Sequence, residues 1–401
     1  MNPELVESLQ ETAITNDVPG LILHDFQFVL EYVDEIASTL TKNHLLTLRD
    51  LTPLNQNLHR RIKHGLTRPV QKSFPHINGL FLLLRASGLT VVDVGDRKPT
   101  LRTDAAVLQS WQALSPEERY FTLLESWLMR GDAGIIAERS GRFELDAPFF
   151  KWAEFYAMLQ QNRWYDDDWI ERTRYRPGLH NLALMELFGL LDIEDGAPID
   201  KKGWRIIEVQ ATRWGQALLA SLWPDLGDNW AFWEQLAQPY NVRPGALQPF
   251  IRPYRPGWRQ VLNLPADRFQ PGRYIFKVSL DNDLWRQIII RDVSTLDDLS
   301  HAILNAFGFD HDHLYRFLYP TRFGLEVEVV HPFMDETPSA DEVRIGDLPA
   351  QVGFRMVYNY DFGDNWLFDV ALERIEPPQQ DSAPYHIGDR HGESPEQYGG
   401  W

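Results

Sequence analysis

The sequence contains no cysteine, which excludes disulfide bonds, thiolate zinc sites and a cysteine nucleophile. A metal site in this chain would have to use histidine and carboxylate ligands. No apolar run approaches the roughly 20 residues that span a membrane. The acidic N-terminus lacks the basic, apolar and small-residue succession of a secretory signal. We therefore expect a cytoplasmic protein without a membrane partner.

Positive charge is also scarce. The 401 residues carry a formal net charge of -18, which argues against general attraction to nucleic acid, because phosphate binding needs a positive surface. The charge is unevenly distributed. Residues 51–100 hold eight Lys and Arg against two Asp and Glu, whereas residues 301–401 hold six against eighteen. The two regions are therefore expected to meet different partners.

The N-terminal half shows one order of elements twice. An apolar helix, HINGLFLLLRAS, should end at Gly88, and a short strand, a Gly-Asp-Arg-Lys-Pro turn, a second strand and a helix follow it. About a hundred residues later the same order recurs around Gly189, with a turn at Asp195 and Gly196. This order is typical of winged-helix units. We predict a mainly α N-terminal region with tandem winged-helix-like units.

Composition suggests where the domains divide. Ser115 followed by Pro116 and Glu118 is a helix start that opens a second helical region. Seven prolines between Pro239 and Pro271 indicate a boundary. We predict the following domains: residues 1–114 and 115–238, each helical with one winged-helix-like unit, a proline-rich linker at 239–271, and a C-terminal domain at 272–401.

The C-terminal domain reads as α+β. YIFKVSL, WRQIIIRD, HLYRFLY, LEVEVVH, FRMVYNY and FDVALERI alternate in strand fashion. Thr295 should cap the amphipathic helix LDDLSHAILNAF. We therefore predict a mostly antiparallel sheet with one main helix.

Several motifs of this domain occur in a recognisable order. YIFKVSL, LWRQIII, TLDDLSHAILNAFGFDHDHLYRF, YDFGDNW and GESPEQYGG follow one another between Tyr274 and Gly400. Together they resemble the plasmid pRiA4b ORF-3-like family, whose members are also labelled insertion-element passenger proteins. The upstream stretch RPVQKSFPHINGLFLLLRASGL looks like the N-terminal region of longer members. The resemblance implies an α+β domain and an association with mobile elements, and it implies no established reaction.

The candidate metal ligands lie in these motifs, but the chain departs from the family there. Many short members have W-x-H after the YDFGD turn and a Cys near the C-terminal motif, whereas here Leu367 and Phe368 follow Trp366, and no Cys is present. The residues that remain as candidates for chemistry are His311, His313, Asp361, Asp364, His391 and Glu396. Of these, the candidate ligands of a divalent ion are His313, Asp361, Asp364 and Glu396.

A structural role is the alternative for the same residues. Asp and Gly satisfy the geometry of a hairpin turn, and an Asp side chain caps nearby backbone N–H groups. His311 and His313 would share one face if they lay on a strand, which suits a metal, but a histidine before a strand is also a common edge residue.

The basic stretch before the first apolar helix is the candidate nucleic-acid surface. The apolar helix itself offers only Asn78 and Arg85 on one face, so we expect no sequence-specific recognition by it. The alternative for the basic stretch is a solvated loop that docks on the acidic C-terminal domain. The candidate phosphate ligands are Arg60, Arg61, Lys63, Arg68 and Lys72, with Arg97 and Lys98 at the wing tip.

A second candidate surface binds a protein partner. Aromatic and cationic side chains of the strands would present one part of it, and the acidic motif turn would present the other. The alternative is that these aromatic residues belong to the core. The candidate partner-binding residues are Trp285, Arg286, Tyr315, Asp361, Asp364, Trp366 and Glu396.

Two functions follow from these observations. The first is a noncatalytic DNA-associated or scaffold protein of a mobile-element or defence-like locus, with no catalytic residue and no obligatory cofactor. The second is a metal-dependent enzyme that acts on nucleic acid through the carboxylates and histidine of the C-terminal domain. The first is preferred, because no activated nucleophile or phosphate loop is visible. No sequence pattern indicates a particular oligomeric state.

Overall fold

The structure is a computed structural model that describes residues 3–93, 98–138, 178–198, 203–227, 243–265, 269–334, 336, 338–379 and 383–398, with the backbone alone at 223–227. The chain forms two compact units. Unit 1 comprises Met1–Pro265 with Phe323–Leu325, and unit 2 comprises Ala266–Arg322 with Glu326–Trp401. The finer domain borders expected at residues 114, 238 and 271 stay predictions.

The described residues of unit 1 form mainly helices, with two antiparallel hairpins between them. The helices are α1 (Pro3–Glu11), α2 (Ile22–Ile36), α3 (Leu48–Asn57), α4 (Pro75–Ala86), α5 (Ala105–Ala113), α6 (Pro116–Arg130), α7 (Leu179–Leu187), α8 (Arg213–Gly227) and α9 (Gln248–Ile251). One hairpin pairs β1 (Thr90–Asp93) with β2 (Thr100–Thr103), and the other pairs β3 (Leu191–Asp195) with β4 (Ile206–Ala211).

Helix, glycine, hairpin and helix thus follow one another twice. Gly88 after α4 has a φ of 78°, and Gly189 near the end of α7 has a φ of 71°. Glycine adopts this left-handed conformation without the strain that a Cβ would add, and it commonly ends helices in this way. The coarse order predicted from the sequence is therefore present in the structure.

Each of the two copies contains an equivalent backbone hydrogen bond. In the first, Asp104 before α5 donates its backbone N–H to the carbonyl of Leu89 at 2.9 Å. In the second, Thr212 before α8 donates to the carbonyl of Leu190 at 3.1 Å. Each acceptor directly follows the helix-ending glycine. The same bond therefore extends both hairpins by one residue pair beyond their strands.

The core of unit 1 lies around α4, α6 and α7. Ser115 caps α6 through its side chain and forms a capping box with Glu118, as predicted. The helices α4 and α7 approach closely, since a Cβ added to Gly79 would lie 2.6 Å from Cγ of Leu184. The segment 243–265, in the predicted linker, also contributes to this core. Its buried side chains include Leu247, Ile251, Trp258 and Leu262.

Unit 2 is a seven-stranded antiparallel sheet with one main helix, which confirms the α+β prediction. The sheet order is β11-β6-β5-β10-β9-β7-β8. The strands are β5 (Arg273–Asp281), β6 (Leu284–Arg291), β7 (Tyr315–Pro320), β8 (Glu326–Val330), β9 (Arg355–Tyr360), β10 (Trp366–Glu376) and β11 (Tyr385–His391), and the helix is α10 (Leu296–Phe307).

Local sequence explains how α10 is placed. Thr295 caps it and forms a capping box with Asp298, and Gly308 ends it at a φ of 75°. Its apolar face meets the sheet, where Phe307 contacts Phe368 with ring centroids 5.0 Å apart. Among the residues that the structure describes, no helix is both long and apolar enough to cross a membrane.

Candidate functional site

The cationic cluster predicted from the sequence lies in unit 1, in an irregular segment between α3 and α4. We call this segment, residues 58–72, the basic loop. No Asp or Glu occurs from residue 51 to residue 92. At the start of the loop Leu58 and Ile62 are buried, while residues 59–61 between them and Lys63 after them are exposed or half-buried. The exposed cations of the loop are Arg61, Lys63, Arg68 and Lys72.

Hydrogen bonds fix the backbone of the basic loop. The buried carboxylate of Asp25 accepts the backbone N–H groups of His59 at 2.7 Å and Arg60 at 3.1 Å. The side chain of Asn55 donates to the carbonyl of Ile62 at 3.1 Å and accepts its N–H at 3.3 Å. These bonds fix residues 59–62 of the loop without a ligand, which reduces the entropy that this part loses on binding.

The sequence analysis named Arg60 as a phosphate ligand on the surface, but in the structure its side chain turns toward the second copy and is 19% exposed. Its Nε donates to Glu186 at 2.7 Å, and its two terminal nitrogens donate to Asp195 at 2.8 and 2.7 Å. Glu186 also lies 2.7 Å from Nε2 of the buried His76, and Asp195 accepts the indole N–H of Trp204 at 2.9 Å. The guanidinium of Arg60 is therefore committed to two carboxylates instead of a phosphate.

The pKa shifts of Asp195 and Arg60 agree with an ion pair between them. Burial raises the pKa of Asp195, but hydrogen bonds from Arg60 and Trp204 outweigh it and hold that pKa below its ordinary value. For Arg60, burial lowers the pKa, and the pairing with Asp195 and Glu186 raises it overall. Both groups are therefore charged at neutral pH.

The helix α4 is not positioned to read bases. Each of its residues from Pro75 to Ala86 is buried. Asn78 accepts from Gln71 at 2.8 Å and donates to Glu138 at 3.1 Å, and Arg85 donates to the carbonyl of Thr90 at 3.0 Å. The two polar side chains that could have met base edges are thus used inside unit 1.

The first hairpin carries the remaining candidate phosphate ligands. Lys98 is exposed just before β2. Arg97 lies outside the described residues. Arg102 of β2 is also exposed, but it lies 2.8 Å from the carboxylate of Asp93, so Lys98 is the candidate ligand that the hairpin presents.

In unit 2, three separate motifs meet at one edge of the sheet. They are residues 310–313 before β7, residues 360–365 between β9 and β10, and residues 394–398 near the C-terminus, and we call them the motif edge. The antiparallel pairing of Tyr315 with Tyr360 brings the first two motifs together. Gln397 joins the third, because its side chain accepts the backbone N–H of Asp310.

Asp361 caps its own turn. Its Oδ1 accepts the N–H of Gly363 at 2.9 Å and that of Asp364 at 3.4 Å, while its Oδ2 lies 3.4 Å from Nε2 of His313. Asp361 has a φ of 52° and Asn365 a φ of 56°, and the left-handed region is unfavourable for residues with a Cβ. The side chain of Asp361 therefore stabilises a strained hairpin, and the side chain of Asp364 is exposed.

Tyrosines connect the rest of the motif edge. Tyr398 donates to Asp312 at 2.8 Å and lies 3.4 Å from His313. This bond lowers the pKa of Asp312. Burial and the same carboxylate raise the pKa of Tyr398 to about 12. Tyr360 donates to the carbonyl of Asp310 at 2.6 Å. The phenols therefore remain protonated donors at neutral pH.

His311 and His313 do not share a strand face, because β7 begins only at Tyr315. His311 lies 3.2 Å from the side chain of Asn305 and stacks on His301 with centroids 5.0 Å apart. Within the described part of the chain, no group of three or more His, Asp or Glu side chains has the geometry to hold a metal ion. The structure does not assemble His313, Asp361, Asp364 and Glu396 into a metal centre, and Glu396 is exposed.

The other predicted partner-binding residues are mostly internal. Arg286 is 4% exposed and donates to the carbonyls of Ala306 at 3.0 Å and His391 at 2.8 Å. Tyr315 is 3% exposed, and its hydroxyl donates to Asp297. Arg286 and Tyr315 therefore stabilise unit 2 from within.

The two tryptophans of that prediction are half-buried. Trp285 stacks on His391 with centroids 6.1 Å apart, and the ammonium of Lys277 lies 4.9 Å from its ring. Trp366 packs edge to face on Phe309 with centroids 4.9 Å apart. Part of each ring remains available on the surface.

Sequence reasoning did not single out four residues that the structure places in these sites. Asp312 and Tyr398 belong to the motifs that carry the family resemblance, and that membership was the available signal. Glu186 and Asp195 had no local signal, since they lie 126 and 135 residues from Arg60 in the chain.

Comparison with known protein families finds a match for the C-terminal part of the chain. Residues 273–401 match the family described as plasmid pRiA4b ORF-3-like protein, which confirms the resemblance for this domain. A crystal structure of a protein of unknown function from Methanosarcina mazei Go1 is similar at 25% identity, over 32% of this chain and 75% of that chain, with a TM-score of 0.29. A search of curated proteins found no match.

Proposed function

We propose that the protein is a noncatalytic adaptor that contacts nucleic-acid phosphates through the basic loop of unit 1 and a protein partner through the motif edge of unit 2. The family's association with mobile elements is the reason for assigning it to a mobile-element or defence-like locus. The observation that carries the proposal is the ordered basic loop, which exposes Arg61, Lys63, Arg68 and Lys72 in a stretch without any acidic residue.

The proposed contact is independent of sequence. Lys and Arg on an exposed loop bind phosphates and position a protein, whereas base recognition needs polar side chains inside a groove. The buried helix α4 offers none. We further propose that the two copies are winged-helix-like units, a proposal supported by the equivalent bonds from Asp104 and Thr212. In this arrangement the helices that would enter a groove pack inside the protein.

The motif edge supports a partner role because it exposes apolar side chains beside the capped turn. Phe362 is 43% exposed and Tyr398 55%, and Leu367 in the adjoining strand β10 is 50% exposed. A binding role is preferred to catalysis, because Asp361 is used to cap its turn. If a protein partner binds here, Phe362→Asp should abolish its co-purification with the protein. Val352→Asp should not, since Val352 is 69% exposed but lies outside the motif edge.

Salt dependence tests the phosphate contact. Fluorescence anisotropy with two short duplexes of unrelated sequence should give equal affinities. If all four cations contact phosphates, log K should fall against log salt with a slope of about -3.6, at -0.9 per contact. The double variant Arg61→Ala, Lys63→Ala should reduce that slope by about 1.8.

A matched control removes the same charge elsewhere. Lys42 and Arg49 are exposed and lie outside the basic loop, so Lys42→Ala, Arg49→Ala should leave the slope unchanged. Absence of duplex binding at low salt, or a slope that the loop variant does not change, would contradict the proposed function.

A further inference from the structure

The network around Arg60 joins the two copies of the repeat. Arg60 belongs to the basic loop that precedes the first copy, whereas Glu186 lies in α7 and Asp195 ends β3, both in the second copy. The side chain of Arg60 is 19% exposed and that of Glu186 16%. Bidentate pairing of a guanidinium with a carboxylate fixes orientation as well as distance. The second copy therefore holds the side chain at the centre of the loop's ordered part.

The neighbouring bonds show what this brace adds. Asp25 fixes the backbone at His59 and Arg60, and Asn55 fixes Ile62. Arg61 lies between these anchors, and Lys63 follows directly. Only the Arg60 side chain connects this stretch to the second copy through hydrogen bonds among the described residues. Locally, Arg61 Nε donates to the carbonyl of Leu58 at 3.1 Å. The Arg60 side chain is therefore the link by which α7 and β3 act on the stretch that carries Arg61 and Lys63.

We infer that Arg60 is a positioning residue for phosphate binding, and that the second repeat contributes by bracing the basic loop through Glu186 and Asp195 instead of by touching the nucleic acid. This inference rests on the phosphate-binding role proposed above. The ligand class it implies is the duplex backbone, because an ordered loop matches a regular array of phosphates better than a flexible chain does. It also assigns the two copies to one binding module.

The direction in which one double substitution changes duplex affinity distinguishes bracing from simple electrostatics. Glu186→Gln with Asp195→Asn removes two negative charges beside the basic loop, which by charge alone should strengthen phosphate binding. Bracing predicts the opposite result. Loss of order in the loop should weaken duplex binding about 3- to 10-fold, because each side chain that must be immobilised on binding lowers affinity by about that much.

A matched control lies on the same strand. Asp192 and Glu194 are exposed residues of β3, so Asp192→Asn with Glu194→Gln removes the same charge without touching the brace. This control should bind duplex unchanged or slightly more tightly. Arg60→Lys supplies a second contrast, because lysine keeps the charge but cannot pair in a fork. It should weaken binding, whereas Arg61→Lys should not.

Amide hydrogen exchange supplies a readout that a general loss of stability would not imitate. In Glu186→Gln, Asp195→Asn, exchange at residues 59–63 should accelerate while exchange in α6 stays at its wild-type rate. Tighter binding than the control, or unchanged exchange in the loop, would overturn the inference. If the wild type binds no duplex, the proposed function fails, and the exchange experiment still decides whether the second copy braces the loop.

Discussion

Replacing Asp361 distinguishes a structural role of the motif hairpin from a ligand-binding role. In the structure its carboxylate accepts two backbone N–H groups, and its φ is 52°. Asp361→Asn keeps a side-chain oxygen and a residue that tolerates the left-handed region, so the free energy of unfolding should change little. Asp361→Gly removes the cap but also relieves the strain of a Cβ in the left-handed region, and these two effects, each about 1 kcal/mol, should largely cancel in the free energy of unfolding.

Asp361→Ala removes the cap, worth about 1 kcal/mol, and gives no relief of strain, because alanine keeps a Cβ in the left-handed region as aspartate does. The expected destabilisation relative to wild type is therefore about 1 kcal/mol, and alanine should be the least stable of the three variants.

Hydrogen exchange in increasing urea measures this series. Peptides from β9 and β10 report unit 2 separately from unit 1, which matters because a chain with two units need not unfold in one step. An alanine variant as stable as the wild type would refute the structural role, and so would an asparagine variant as unstable as alanine. Carboxylates gathered for a ligand often destabilise the free protein, so a ligand-binding role predicts that removing Asp361 leaves stability unchanged or raises it.

Two other predictions concern unit 1. Gly189→Ala should destabilise it by about 3 kcal/mol or more, because the new Cβ would lie 2.3 Å from the carbonyl oxygen of Pro19 in a region that already strains alanine; a thermal midpoint within a few degrees of wild type would contradict this. Burial raises the pKa of Glu118, but hydrogen bonds from the backbone N–H groups of Ser115 and Gln260 outweigh burial and lower that pKa overall. The ionised Glu118 side chain therefore stabilises the fold above the unfolded-state pKa of about 4.3, and this contribution is lost as pH falls through the lower pKa of the folded state. The stability difference between wild type and Glu118→Gln should therefore shrink below about pH 4 in urea titrations, and a constant difference would argue against that assignment.

Short-range patterns were the part of the fold that could be predicted. The capping boxes at Ser115 and Thr295 need residues only three positions apart, and local hydrogen bonding decides them. Strand alternation similarly predicted the sheet of unit 2. It also contained information that was not used, because Arg286 shares its strand face with Leu284 and Ile288. Period two therefore indicated that Arg286 points inward.

Long-range pairing explains what the sequence could not show. Arg60 looks like any exposed cation of a basic loop until α7 and β3 are placed beside it. Tyr398 meets Asp312 across 86 residues. No local periodicity encodes such contacts, because packing of separate elements creates them. The candidate sites were therefore found as segments, while the roles of residues within them were not.

The salt dependence of duplex binding tests the central claim most directly. Wild type and Arg61→Ala, Lys63→Ala are titrated with one fluorescent duplex over a series of salt concentrations, beside Lys42→Ala, Arg49→Ala. The basic loop predicts a steep wild-type slope, a slope shallower by about 1.8 for the loop variant, and no change for the control. Equal slopes for the loop variant and the wild type, or no binding at low salt, would contradict it.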